Sequence, residues 1–172
     1  MPRDVVLSPY NPRWATQFKT AAAQLQTVLG NEAVAIHHNG STAIPGIKAK
    51  PIIDILIEVR DIEQVDGFNV ALAQLSYRAR GENGAPGRRY FTLGDGDQRS
   101  QHIHMFQKGH LEIARHLNFR DYLRAHPQAA RVYEAMKIQK AQQFAHDGAQ
   151  YTEAKTNLVH QIDARATAWK ED

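Results

Sequence analysis

The stretch Pro51-Ile52-Ile53-Asp54-Ile55-Leu56-Ile57-Glu58-Val59 is β-branched and almost continuously apolar, broken early by one acid. Such a run, without the alternation of a half-exposed strand, is expected of a strand covered on both faces. A carboxylate there is an anomaly, because burying an ionised acid without partners costs several kcal/mol at least. Asp54 must therefore be answered by a cation, by an arginine or lysine, or by the backbone amides of the preceding segment. Two readings stand: Asp54 is a metal or substrate ligand, or it ties down the loop before it.

That loop, Asn39 to Lys50 (NGSTAIPGIKAK), is rich in turn formers and has no helical period. Upstream, Asn11-Pro12 marks a helix start, and Phe18, Ala22, Leu25 and Leu29 recur at helical spacing up to Gly30. Val34 and Ile36 then form a short strand ending near His37-His38. Downstream, Asp61 and Gln64 read as a capping box for a helix with the stripe Ile62, Val65, Leu72 and Leu75. Tyr90 to Leu93 and Gln101 to Phe106 read as strands joined by a hairpin loop at Gly94 to Asp97. From Leu111 the pattern is helical, with a start at Pro127 and a break at His146-Asp147-Gly148. Interleaved strands and helices followed by a helical C-terminal third predict an α/β (α+β) fold, a mixed β-sheet with helices packed on it. With no repeat and no long linker, residues 1–172 are expected to form a single domain.

Composition narrows the function. The chain has 172 residues, 42% hydrophobic and 23% charged, so disorder is not expected. The absence of cysteine removes disulfides, thiolate ligands and a cysteine nucleophile. No apolar run nears the roughly 20 residues of a membrane helix. The opening MPRDVVLSPYNPRW lacks the apolar stretch of a secretory signal, so a cytoplasmic protein is expected. A net charge of +3 gives little support to nucleic-acid binding. Arg78, Arg80, Arg88, Arg89 and Arg99 do cluster, which reads either as a solvated loop or as an anion site.

Three groups of residues could carry chemistry. Gly40-Ser41-Thr42, after a strand, would turn backbone N–H groups and a hydroxyl toward one point, a geometry that suits phosphate. His102 and His104 share a strand face, with Ile103 and Met105 on the other. Beside Asp54 they would make a set favouring zinc, manganese, iron or nickel over magnesium; otherwise they hydrogen-bond Asp54, Glu82 or tyrosines and hold no metal. Lys137 follows Tyr133 by four residues and Lys155 follows Tyr151 by four, so each pair shares a helix face. Both lysines could then neutralise phosphate, as could Arg88, Arg89 and Arg120 with their forked geometry; the other reading is surface cations, or an internal network such as Arg120 with Asp121 or Glu82.

The chain resembles the GrpB family (UPF0157), an uncharacterised group within the nucleotidyltransferase-like superfamily. The resemblance is carried by Tyr10-Asn11-Pro12-Arg13-Trp14, His38 to Ile47, Lys50 to Ile55, Gly81-Glu82-Asn83-Gly84, Arg88 to Phe91, His102-Ile103-His104, Phe119 to Arg124, and Tyr133, Lys137, Tyr151 and Lys155. It implies a nucleotidyltransferase-like fold. It also implies a small phosphorylated or nucleotide ligand, a divalent metal (magnesium or manganese, or zinc if the histidines ligate), and nucleotidyl or phosphoryl transfer. Lys50, Glu82 and Tyr151 join the expected ligand-contacting residues on the same ground, and Asp54 becomes the expected catalytic carboxylate. The chain departs from the superfamily pattern at Leu56, where active members carry a second carboxylate. Glu58, the next acid on that face, lies two residues beyond Leu56, a further roughly 6–7 Å along the strand at strand rise. The departure leaves open a non-catalytic binding domain, and behind it a metal-dependent hydrolase using His102 and His104.

Overall fold

A computed structural model describes residues 6–171 of the chain. Its elements are α1 (Arg13–Leu29), β1 (Ala33–Asn39), β2 (Ile53–Val59), α2 (Asn69–Gln74), β3 (Tyr77–Ala79), β4 (Arg88–Leu93), β5 (Gln101–Gln107), α3 (Leu111–Ala125), α4 (Pro127–Gln143) and α5 (Gly148–Glu171). The five strands form one mixed sheet in the order β1-β2-β5-β4-β3, with β2 and β5 parallel and the other pairs antiparallel.

The continuous apolar character of β2 has the predicted cause, since helices cover both of its faces. Ile53, Ile55, Ile57 and Val59 pack with Ile103, Met105 and Phe91 against Leu25 and Leu29 of α1 and Leu72 of α2. On the opposite face Leu56 and Phe106 meet Ile113 and Leu117 of α3. Ile44 and Ile47 of the loop before β2 join Tyr133, Leu158 and Ile162 in a second core between that loop and the C-terminal helices. Burying Leu56 alone removes a side chain worth roughly 1.5–3 kcal/mol from water.

Helix boundaries follow local chemistry. Asn11 Oδ1 accepts from the Arg13 amide at 2.9 Å, and Gly30 closes α1 with φ of 56°. Asp61 caps as expected, accepting from the Glu63 amide at 3.0 Å, but it opens a tight 3₁₀ segment over Ile62–Phe68. The stripe from Ile62 to Leu75 is thus split between that segment and the short α2. The three-residue strand β3 had no signal of its own: Tyr77 is its one buried residue, and it earns strand geometry by pairing with β4. Among the described residues no helix is long and apolar enough to cross a membrane.

Candidate functional site

Asp54 sits where the sheet meets the helical layer. The β2–β5 register sets Asp54 beside His102 and Leu56 beside His104, and the β4–β5 register adds Tyr90 opposite His104 and Thr92 opposite His102. All these side chains share the face that looks toward α3–α5. Asp54 Oδ1 lies 3.4 Å from His104 Nε2 and 3.6 Å from His102 Nδ1, so the acid is answered by two imidazoles. The loop contributes differently. Gly40, at φ of 72°, lies against the carboxylate, where a β-carbon would overlap Asp54 Oδ2. Its role is close approach, which only a residue without a side chain permits.

Asp54 is 28% exposed, through a cleft of about 770 Å³ roofed by α4 and α5. Burial pushes its carboxyl upward, but hydrogen bonds from His102 and His104 outweigh that and hold it well below the usual carboxylate range. His104 is held from both sides, because the Arg88 guanidinium lies 3.3 Å from its Nδ1. An arginine can only donate, so Nδ1 accepts and Nε2–H points at Asp54. His102 Nε2 is buried with no hydrogen-bond partner.

The helical wall is basic. Lys137 is 2% exposed, with Nζ 3.0 Å from the Lys48 carbonyl and over the Tyr133 ring at 5.0 Å. Burial first, and then the neighbouring Lys155, press its ammonium well below the ordinary lysine range. Lys155 is pushed the other way, chiefly by Tyr133 and against the cost of burial, and it hydrogen-bonds the Tyr133 side chain. Tyr133 in turn lies 3.3 Å from Ser41 Oγ. Lys50 Nζ stands over the Tyr151 ring at 4.7 Å. Thus Ser41, Thr42, Lys50, Asp54, His102, His104, Lys137, Tyr151 and Lys155 all line one cleft.

Four expected ligand contacts lie elsewhere. Arg89 points to the opposite sheet face, where Nε donates to Asp66 at 2.9 Å, because alternation along β4 turns it away from Tyr90. Arg120 donates to the His38 carbonyl and pairs with Asp121. Glu82 accepts from the Gly87 amide at 2.7 Å and braces the 81–87 loop. Arg88 stacks over the Tyr90 ring at 4.7 Å and donates to the carbonyls of Glu82 and Asn83, so it backs His104 and does not line the cleft. In their place the cleft takes Arg80, Arg99, Arg115, Glu112, Tyr90 and His160. The arginine cluster signalled Arg80 and Arg99; Arg115, Glu112 and His160 carry no sequence signal, since only the packing of α3 and α5 brings them in.

The donor set does not match the paired-carboxylate magnesium site that the sequence resemblance implies. Leu56 is fully buried where the second carboxylate would stand, and Glu58 is taken by His37 at 2.7 Å. Among the described residues no group of three histidine, aspartate or glutamate side chains is arranged to hold a metal ion.

Comparison with known proteins bears on the family and the fold. The profile of the family described as GrpB protein matches residues 4–165. The UPF0157 protein YqkA of Bacillus subtilis (strain 168) is 46% identical over 168 residues, which is 98% of this chain; the chain spans 49% of that relative's length. The crystal structure of the conserved protein GrpB from Enterococcus faecalis superposes with a TM-score of 0.92 at 35% identity, covering 97% of this chain and all of that one. The nucleotidyltransferase Cid1, solved in complex with the UTP analog UMPNPP, superposes with a TM-score of 0.54 at 13% identity over 85% of this chain and 48% of its own. That last likeness is one of fold, and the fold is nucleotidyltransferase-like.

Proposed function

This chain belongs to the GrpB family, and from that premise we propose that its cleft binds a phosphorylated small molecule of the nucleotide class, with the phosphates against Ser41, Thr42, Lys50, Lys137 and Lys155. The observation that carries the reading is the charge of the cleft lining. Among the described residues six cations face two carboxylates there, and one of the two, Glu112, is already engaged by Arg115 at Oε2. Lysines crowded around one aspartate, one of them almost wholly buried, are costly unless an anion completes them. A phosphate chain supplies that charge and takes hydrogen bonds from ammonium, hydroxyl and backbone groups alike. The nucleotide bound by the structural neighbour Cid1 is in keeping with this choice of ligand.

If the domain is an enzyme, positioning and charge stabilisation would do most of the catalysis, as phosphoryl-type transfers require. Asp54 and His104 would orient the acceptor. No step is routed through a protein-held metal, because the donor set described above does not provide the paired carboxylates. Leu56 favours a second reading, a nucleotide-binding or regulatory domain that does not turn its ligand over.

Thermal unfolding with each of the four ribonucleoside triphosphates, with and without Mg²⁺ or Mn²⁺, tests the proposal. A ligand at about 100 times its dissociation constant stabilises by roughly 2.7 kcal/mol, or about 5–10 °C in a domain of this size. Absence of any shift with every nucleotide and with pyrophosphate overturns the proposal. Release of pyrophosphate or nucleoside monophosphate from the bound nucleotide removes the second reading.

A further inference from the structure

The cleft has a second basic wall, against which the proposed phosphates are not placed. Arg80 leaves the end of β3, with its amide bonded to the Tyr90 carbonyl at 2.8 Å. Its Nε donates to Thr92 Oγ1 at 2.8 Å, while its terminal nitrogen reaches Asp95 only at 3.8 Å, an aspartate 80% exposed. Arg99 stands just before β5, and its Nε is buried with no hydrogen-bond partner. The next residue, Ser100, is clamped between β2 and β4 by backbone bonds to Ile53 and Leu93, each of 2.9 Å. Gly94, at φ of 86°, allows the hairpin to close against Gln98, whose carbonyl a β-carbon would strike. The loop is therefore built to hold Arg99 in place.

The two basic walls spring from different parts of the fold. Lys50, over the Tyr151 ring, belongs to the loop before β2, while Lys137, over the Tyr133 ring, and Lys155 stand on α4 and α5. Arg80 is tied to Thr92 of β4 and Arg99 leads into β5, so both rise from the sheet. Asp54 lines the cleft that both walls share. A guanidinium with an unpaired, buried N–H is a costly arrangement for the free protein and a ready one for an oxyanion, which a planar fork binds with two parallel bonds.

We infer that Arg80 and Arg99 form a second oxyanion subsite on the far side of Asp54 from the lysine wall, and that it takes the phosphate or carboxylate of a second molecule bound beside the nucleotide. This rests on the proposed nucleotide reading for its biological sense, and on the two separate basic walls for its geometry. The acceptor, or the effector, is then an anionic metabolite rather than a neutral alcohol or amine. The position of Asp54 and His104 between the walls puts them at the junction of the two ligands.

The test uses the full chain and small anions, so it does not depend on finding the nucleotide. Inorganic phosphate and malonate are titrated by calorimetry into the parent protein, Arg99→Gln, Lys155→Met and the double variant, after unfolding curves confirm that each is folded. Phosphate binding to both single variants, with at least a tenfold loss in the double variant, is expected. Binding of phosphate or of malonate to Lys155→Met names the oxyanion that the arginine wall prefers; binding of neither overturns the subsite. Loss of all phosphate binding in Arg99→Gln alone also overturns it, because the two walls then form one site. Should Arg99→Lys bind phosphate as tightly as the parent, the forked geometry is not used and the inference falls. If no nucleotide binds yet both single variants still take phosphate, the nucleotide reading fails while the subsite stands.

Discussion

Gly40 abuts the Asp54 carboxylate so closely that a methyl group at position 40 would collide with it. The contact explains why a glycine ends β1 here, since its φ of 72° and ψ of −170° lie in a region nearly closed to other residues. Gly40→Ala should lose about 1–3 kcal/mol from backbone strain alone, and displace Asp54 from its two histidines. Urea denaturation measures the first effect and nucleotide-induced thermal shift the second. A variant as stable as the parent would show that the loop relaxes freely and does not position the acid.

Asp54→Asn separates charge from shape at the same point. In the folded protein the two histidines hold the carboxyl well below its usual range, so as pH falls below about 4 the unfolded chain gains a proton that the native state refuses. The stability contributed by this group is therefore full above that pH and drains away below it. The asparagine variant should show a shallower fall in unfolding free energy between pH 5 and pH 3. A pH profile unchanged by the substitution would mean that the imidazoles do not stabilise the charged form.

His116 controls a different window. Burial, aided by Arg115 and His104, lowers its pKa to about 4, and its Nδ1 donates to the Glu112 carbonyl at 2.7 Å. His38 is likewise lowered to about 4 by burial, with Nε2 2.9 Å from Thr42 Oγ1. Between pH 6.5 and 4 the unfolded chain binds protons that these rings do not, so stability declines as pH falls through that range. Each contributes a slope of at most about 1.4 kcal/mol per pH unit. His116→Phe should remove roughly half of the decline, read from urea midpoints at pH 6.5, 5.5 and 4.5. An undiminished decline would assign it to other groups.

Much of the cleft was legible because its residues obey simple periodicities. Alternation placed His102 and His104 together, the β2 run located Asp54 between buried neighbours, and four-residue spacing turned Lys137 and Lys155 the same way. Alternation also held the answer to Arg89, whose neighbour Tyr90 faces the cleft; a pair of adjacent arginines on one strand cannot both enter it. What local pattern could not supply was tertiary: β3 exists only through its pairing with β4, and Arg115 reaches the site only because α3 packs on α5. Arg120 follows the internal-network alternative by pairing with Asp121, while nothing local says that the His38 carbonyl also awaits it.

Lys137→Met poses the sharpest question, because function and stability should move in opposite directions. The native ammonium is nearly excluded from water, beside Lys155, with its pKa pressed well below the ordinary value. Below that lowered pKa both states are charged and the native state bears the penalty. As pH rises toward about 10.4 the native lysine sheds its proton before the unfolded one does, so the parent should gain stability with pH in that interval. Methionine is of similar length and needs no hydration; it forfeits the bond to the Lys48 carbonyl, worth about 1 kcal/mol. Relief of the buried charge should exceed that loss, leaving the variant more stable at pH 7 by about 1 kcal/mol and without the alkaline gain. Nucleotide affinity should fall at least tenfold, about 1.4 kcal/mol, since a cation facing the phosphates is gone. Urea titrations at pH 7 and 9.5, beside calorimetric binding at pH 7, read all three. If stability and affinity instead drop together, Lys137 is an anchor for the 40–50 loop, and its charge is not kept for a ligand.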